Sequence, residues 1–110
     1  MLITTNNEVI GREVVETLGL VRGSAIRTRH IFADITEWFR NLVGAELHHY
    51  TKMMAETREQ ALDRMIEHAR KLGADAVLTT RFATSSITLG ASEMLAYGTA
   101  VRLRQDGAES

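Results

Sequence analysis

The side chains able to ligate a metal in this 110-residue chain are four histidines, His30, His48, His49 and His68, among scattered carboxylates and with no cysteine. Without thiolate a soft heavy metal lacks its preferred ligand, whereas imidazole and carboxylate suit harder or borderline divalent ions. On a helix His48 and His49 diverge by about 100° and cannot readily chelate one ion from the same face. Glu46 with His49, three apart, and His30 with Asp34, four apart, have better spacing if each pair is helical. Each pair supplies only two ligands, so a full site from Glu46, His48, His49, His30 and Asp34 requires an oligomer axis or interface to multiply them. The plainer alternative leaves these groups as solvated or interface polar side chains, since isolated pairs of this kind are common on helices.

Other chemistries find less support. Met53, Met54, Met65 and Met94 offer thioethers, but Met54 and Met65 fall in an apolar stripe where methionine fills gaps. The acid–base candidates are Glu16, Asp34, Tyr50 and Asp75. Asp75 follows Gly73-Ala74 at an expected helix-to-strand turn, where capping backbone amides is its most economical role. No serine, histidine and aspartate share a nucleophile context, and Gly19-Leu20-Val21-Arg22-Gly23 lacks the lysine and following helix of a phosphate loop. No catalytic residue is therefore assigned, and the only cofactor suggested is a divalent metal ion. Arg22, Arg27, Arg29 and Arg81 carry forks suited to carboxylate or phosphate, so the alternative is a small-molecule binder or enzyme with an inter-subunit pocket for an anionic ligand. Glu56, Glu59, Asp63 and Glu67 form an acidic flank, by default a solvated face and otherwise a surface for a divalent cation or basic partner.

The element that must position these groups is a long amphipathic helix beginning near Glu46. Leu47, Tyr50, Met54, Ala61, Met65, Ala69 and Leu72 recur at helical spacing, and Leu62 and Ile66 widen the stripe. Gly73 ends the helix, and Arg70 and Lys71 suit the negative end of its dipole. A shorter helix is expected before it, with Asp34 as N-cap, Glu37 three residues on, and Ile35, Trp38, Phe39 and Leu42 on one face. Leu2 to Thr4 reads as a short edge strand, and Glu13 to Arg22, extended by Ala25 to Arg29, as a bent strand or hairpin with Gly19 and Gly23 at bends. Arg27 and Arg29 are expected to stay wet. Ala76 to Phe82 is a strand, Ser85 to Ser92 a polar loop, and Glu93 to Leu103 the last strand.

The order predicts an α+β domain over residues 1–104, mainly antiparallel sheet with two helices on one face, and a polar tail from 105 to 110. On the last strand Leu95, Tyr97, Thr99, Val101 and Leu103 alternate with Met94, Ala96, Gly98, Ala100 and Arg102, and polarity enters clearly only at Arg102. Up to that point neither set is clearly polar, so helices covering one face leave an apolar face and sheet edges that self-association would hide. A net charge of -1, from 13 basic and 14 acidic residues, gives no basic field for nucleic acid. The start has neither a basic n-region nor a signal-length apolar run, and no span of about 18 apolar residues occurs, so the expectation is a cytoplasmic protein with no membrane partner.

Gly11, Glu16, Gly19-Leu20-Val21-Arg22-Gly23, Asp34, Arg40, Val43-Gly44, Tyr50, Arg58-Glu59, Leu72-Gly73-Ala74-Asp75-Ala76-Val77 and Gly98-Thr99-Ala100-Val101, in this order, resemble the YbjQ-like family. The resemblance spans about Leu2 to Leu103. It implies a dodecin-like subunit in a closed homopentamer whose sheets associate, and a family of unsettled activity often labelled for heavy-metal binding. Where the family typically has acidic residues after Gly-Ala-Asp-Ala-Val, this chain has Arg81, Ala83 and Ser85, which reduces any cation site those carboxylates would serve.

Overall fold

The structure, a computed structural model, describes residues 1–28, 45–88 and 91–105, and only the backbone of 28, 45–51, 87 and 88. Four strands and one helix lie in these residues: β1 (Leu2–Ile3), β2 (Val14–Thr28), α1 (Ala45–Lys71), β3 (Ala76–Thr88) and β4 (Ala91–Leu103). The expected helix starting at Asp34 lies outside the described residues. The strands form one mixed sheet in the order β1-β3-β4-β2. β4 pairs antiparallel with both β2 and β3, while β1 adds a short parallel pairing to β3. β2 and β3 therefore run parallel with β4 between them, and the connection through α1 crosses over the central strand.

The helix is held by its buried stripe. Ala61, Met65 and Ala69, four apart, are fully buried, and Met65 alone contributes about 1.5–3 kcal/mol. Gly73 ends α1 with φ +78°. Its amide donates to the Arg70 carbonyl and that of Ala74 to the Ala69 carbonyl, which satisfies the last orphan carbonyls. Leu72, expected in the stripe, is among the exposed large apolar residues because it lies beyond the helix end.

Small residues set how closely α1 lies on the sheet. A Cβ on Gly23 would collide with the backbone of Ala61 and Met65, so β2 touches α1 main chain to main chain. Val21, Ala25, Ala96 and Ala100 complete this covered surface with Met94 and Val77. The small apolar side of β4 is thus the side beneath the helix, and Leu95, Tyr97 and Thr99, all half-buried, face away from it. At one end of that opposite face Ala76, Leu78, Val101 and Leu103 form a second cluster closed by Val9 and Val14.

Several expectations are corrected. β2 is one long strand with register shifts between Val14 and Glu16 and between Thr17 and Gly19, not a hairpin. Gly19, at φ +115°, supplies the second irregularity, whereas Gly23 provides clearance and not a bend. The segment expected as a polar loop from Ser85 to Ser92 is mostly strand, with β3 running to Thr88 and β4 starting at Ala91. Serine and threonine can occupy a ladder when their side chains remain solvated, so polarity alone was a poor sign of a loop.

Candidate functional site

The predicted metal ligands divide between backbone and undescribed regions. Glu46, His48 and His49 lie in the first turns of α1, but their side chains are outside the described residues, as are His30 and Asp34 entirely. Among the described residues no three His, Cys, Asp or Glu side chains gather as a metal-binding group. The described side chains of one chain therefore do not fit a metal centre on their own. His68 is engaged elsewhere: its Nδ1 lies 3.2 Å from the Arg22 amide nitrogen, which donates to it.

The acid–base candidates resolve into structural roles where they are described. Asp75 accepts the Leu103 amide at 2.9 Å and the Gln105 side-chain amide at 3.4 Å, so it takes a backbone amide, but one at the end of β4 and not one in its own turn. Glu16 pairs with Arg102 at 3.4 Å on the surface, and Arg102 also donates to the Gly73 carbonyl at the end of α1. An open cleft of about 630 Å³ lies here, lined by Val15, Gly73, Asp75, Arg102, Leu103, Arg104 and Gln105. Its cations are already matched, because Arg104 pairs with Glu13 at 3.1 Å. Asp34 and the side chain of Tyr50 lie outside the described residues.

The arginines behave differently from one another. Arg27 is only partly wet: its Nε donates to Thr57 Oγ1 at 2.6 Å, and the hydroxyl donates onward to the Met53 carbonyl at 2.8 Å. Thr57 is 2% exposed, so this short relay ties the edge of the sheet to the interior of α1. Arg29 lies outside the described residues. Arg22 and Arg81 stand directly opposite Tyr97 on its two sides, one on β2 and one on β3. Cross-strand partners project from the same face, so a single row on the face away from α1 reads Arg22, Tyr97, Arg81.

That row was not visible in the sequence. Alternation along β4 grouped Tyr97 with Leu95 and Thr99, but the partner of each residue depends on register. The irregularity between Leu78 and Arg81 sets three residues of β3 against two of β4 and shifts Arg81 onto the face of Leu78. Thr79, within it, has φ +53°. Arg81 is anchored by Nη1, which donates to the carbonyls of Thr5 and Thr80 at 3.0 and 2.9 Å. A depression of about 440 Å³ adjoins the row, lined by Arg22, Gly23, Ser24, Glu93 and Leu95. On α1, Glu56, Glu59, Asp63 and Glu67 are exposed, as the acidic flank required. Among the described residues no helix is long and apolar enough to cross a membrane.

A family model described as "Putative heavy-metal-binding" matches residues 1–104. A UPF0145 protein of Halorubrum lacusprofundi is 56% identical over 104 residues, covering 94% of this chain and 100% of that protein. A UPF0145 protein of Archaeoglobus fulgidus is 52% identical, covering 94% of this chain and 96% of its own. The fold is similar to a crystal structure from Pediococcus pentosaceus, a DUF74-family protein of unknown function. The TM-score is 0.65 at 15% identity, over 94% of this chain and 98% of that one. At this coverage and identity the chain belongs to the YbjQ-like family of UPF0145 proteins.

Proposed function

We propose that the protein works in the cytoplasm as a homo-oligomer, a pentamer of dodecin-like subunits, that holds a divalent metal ion at subunit contacts. The observation that carries this reading is the open sheet face. Leu20 and Ile26 are 64% and 55% exposed there, beside half-buried Leu95 and Tyr97. Large apolar side chains on a face that no helix among the described residues covers favour burial against another copy. A closed assembly would also multiply the two-ligand pairs, Glu46 with His49 and His30 with Asp34, which are too small for a site alone. Imidazole and carboxylate in such a set suit zinc or a similar ion better than a thiophilic metal.

Native mass spectrometry on untagged protein prepared without chelator tests both parts. The expected spectrum is a pentamer carrying metal in a fixed ratio to subunits. A monomer at micromolar concentration would overturn the assembly. A pentamer that takes up no zinc on titration, or whose stoichiometry is unchanged by His48→Ala with His49→Ala, would remove the metal role from these histidines.

A further inference from the structure

The two outer edges of the sheet are finished differently. In an antiparallel ladder the amide and carbonyl of one residue point to the same side, and the side alternates along the strand. Arg22 turns its amide outward to His68, so the backbone groups of its cross-strand partner Tyr97 point toward β3 and those of Arg81 point back. The alternate residues of β3, Phe82, Thr84 and Ser86, therefore aim their backbone groups out of the sheet. The N-terminal segment covers this edge only as far as Thr80, whose amide donates to the Thr4 carbonyl at 3.0 Å. Among the described residues no backbone bond reaches the outward groups of Phe82, Thr84 or Ser86. On the opposite edge α1 has closed the corresponding positions, with His68 on the Arg22 amide and Arg64 on the Ser24 carbonyl. Residues 81–86 are all exposed, and from Phe82 to Ser86 there is neither a charge nor a proline, the devices that usually keep an edge from pairing.

We infer that the β3 edge is a second self-association surface, where residues 82–86 pair antiparallel with the same segment of another copy. The occupant follows from the contrast between the edges. Head-to-tail addition of β3 to β2 needs a free β2 edge, and α1 occupies the middle of that edge. What remains is β3 against β3 across a two-fold axis, an isologous contact. Centred on Thr84, the register opposes Thr84 to Thr84 and Phe82 to Ser86, so all three outward residues exchange both hydrogen bonds and no charges face each other. Phe82 is 43% exposed and projects on the side of Ala96, where α1 lies over β2 and β4 and scarcely reaches β3. Pairing gives its ring Ser86 and Thr84 of the second copy as cross-strand and diagonal neighbours. This contact is separate from the apolar face between β2 and β4 and doubles whatever ring that face builds, so a pentamer pairs into a decamer. With five residues from each chain it is the weaker contact, and the ring persists alone when dilute.

The chain has no cysteine, so a single introduced thiol reads the register directly. Thr84→Cys in the intact protein sets two thiols on opposed residues whose Cα atoms lie about 5.5 Å apart, within disulfide range. Mild oxidation links most chains to one other, seen as a dimer band on a denaturing, non-reducing gel. Ser86→Cys, whose two copies lie about 14 Å apart along the strands, stays unlinked. Without any cysteine, sedimentation velocity shows the particle doubling in mass as concentration rises. Thr84→Pro removes the outward amide without breaking a backbone bond to β4, and it abolishes the doubling while leaving the smaller particle intact. Failure of Thr84→Cys to cross-link, equal cross-linking of Ser86→Cys, or doubling that survives Thr84→Pro overturns the contact. The inference does not rest on the metal-binding pentamer: a ring of five chains that never doubles refutes only the β3 contact, and a monomer that dimerises through Thr84 refutes only the ring.

Discussion

The amide of Arg22 donates to Nδ1 of His68 at 3.2 Å, so a histidine from α1 sits on the outer edge of β2. The same nitrogen is 3.4 Å from the Arg22 carbonyl oxygen, within reach of both backbone groups of one residue. Arg64, one turn earlier on α1, donates to the Ser24 carbonyl. Edge strands invite pairing by other chains because alternate residues present unpaired backbone groups. Two side chains from the covering helix therefore close the middle of this edge.

Replacing His68 by Ala should cost about 0.5–1.5 kcal/mol, the usual worth of one hydrogen bond. Urea unfolding would show this as a lower midpoint at unchanged slope. The double substitution His68→Ala with Arg64→Ala uncovers both residues of the edge and should promote association beyond the native assembly. Sedimentation velocity indistinguishable from wild type across a wide concentration range would show that these side chains do not guard it.

Asp75 offers a cleaner electrostatic test, because its carboxylate accepts the Leu103 amide while its own amide donates to the Val101 carbonyl at 2.9 Å. Asp75→Ala strands the Leu103 amide in a partly buried place and should cost about 1–3 kcal/mol. Asp75→Asn keeps an acceptor and should cost less. Equal losses for the two variants would place the contribution in something other than this bond.

Asp75 was legible as an acceptor of backbone amides because glycine at the helix end fixes the turn, although the amide it takes, that of Leu103, lies across on β4. The α1 core was legible for a similar reason: Ala61, Met65 and Ala69 repeat at the period of the helix, which demands no knowledge of the rest of the chain. The residues that escaped depend on distant partners. Thr57 lies on the buried stripe between Met54 and Ala61, but its hydroxyl argues for the surface until Arg27 is known to meet it. The row of Arg22, Tyr97 and Arg81 depends on an irregularity at Thr79, and threonine is a residue type that gives no warning of a left-handed backbone. The predicted ligands Glu46, His48, His49, His30 and Asp34 are legible only as pairs, since helical spacing brings two groups together and a third requires tertiary or quaternary contact.

Gly23 and Gly19 separate two reasons for conserving space in a strand. Gly23→Ala drives a methyl group into the backbone of Ala61 and Met65, where no side chain can rotate aside, and should cost about 3 kcal/mol or more. Gly19→Ala meets no atom within 4 Å but must hold φ near +115°, for a loss of about 1–3 kcal/mol. Chemical denaturation ranks them. A tolerated Gly23→Ala would mean that α1 can lift from the sheet at little cost.

Thr79 is β-branched and left-handed at φ +53°, a conformation that costs about 1–2 kcal/mol for residues with a Cβ. Its amide donates to the Asn6 carbonyl at 2.8 Å, and the Thr80 amide to the Thr4 carbonyl at 3.0 Å, so the N-terminal segment holds the irregularity in place. Asparagine adopts this region more readily. Thr79→Asn should therefore stabilise by about 1 kcal/mol, seen as a higher melting temperature. A lower one would show that the threonine side chain makes a compensating contribution.

The Arg27 and Thr57 contact allows polar and packing terms to be separated at a single position. The hydroxyl accepts from Arg27 Nε at 2.6 Å and donates to Met53 at 2.8 Å. Thr57→Val keeps the shape but removes both bonds, one of them to a charged donor, and should cost about 1.5–3 kcal/mol. Thr57→Ser keeps the hydroxyl and loses one methyl group, for about 1 kcal/mol. Arg27→Met in the Thr57→Val background removes the orphaned donor as well, so the double variant should recover part of the loss. If Thr57→Ser proves the more damaging substitution, the methyl group and not the relay holds α1 to the end of β2. The double cycle would then show no coupling between positions 27 and 57.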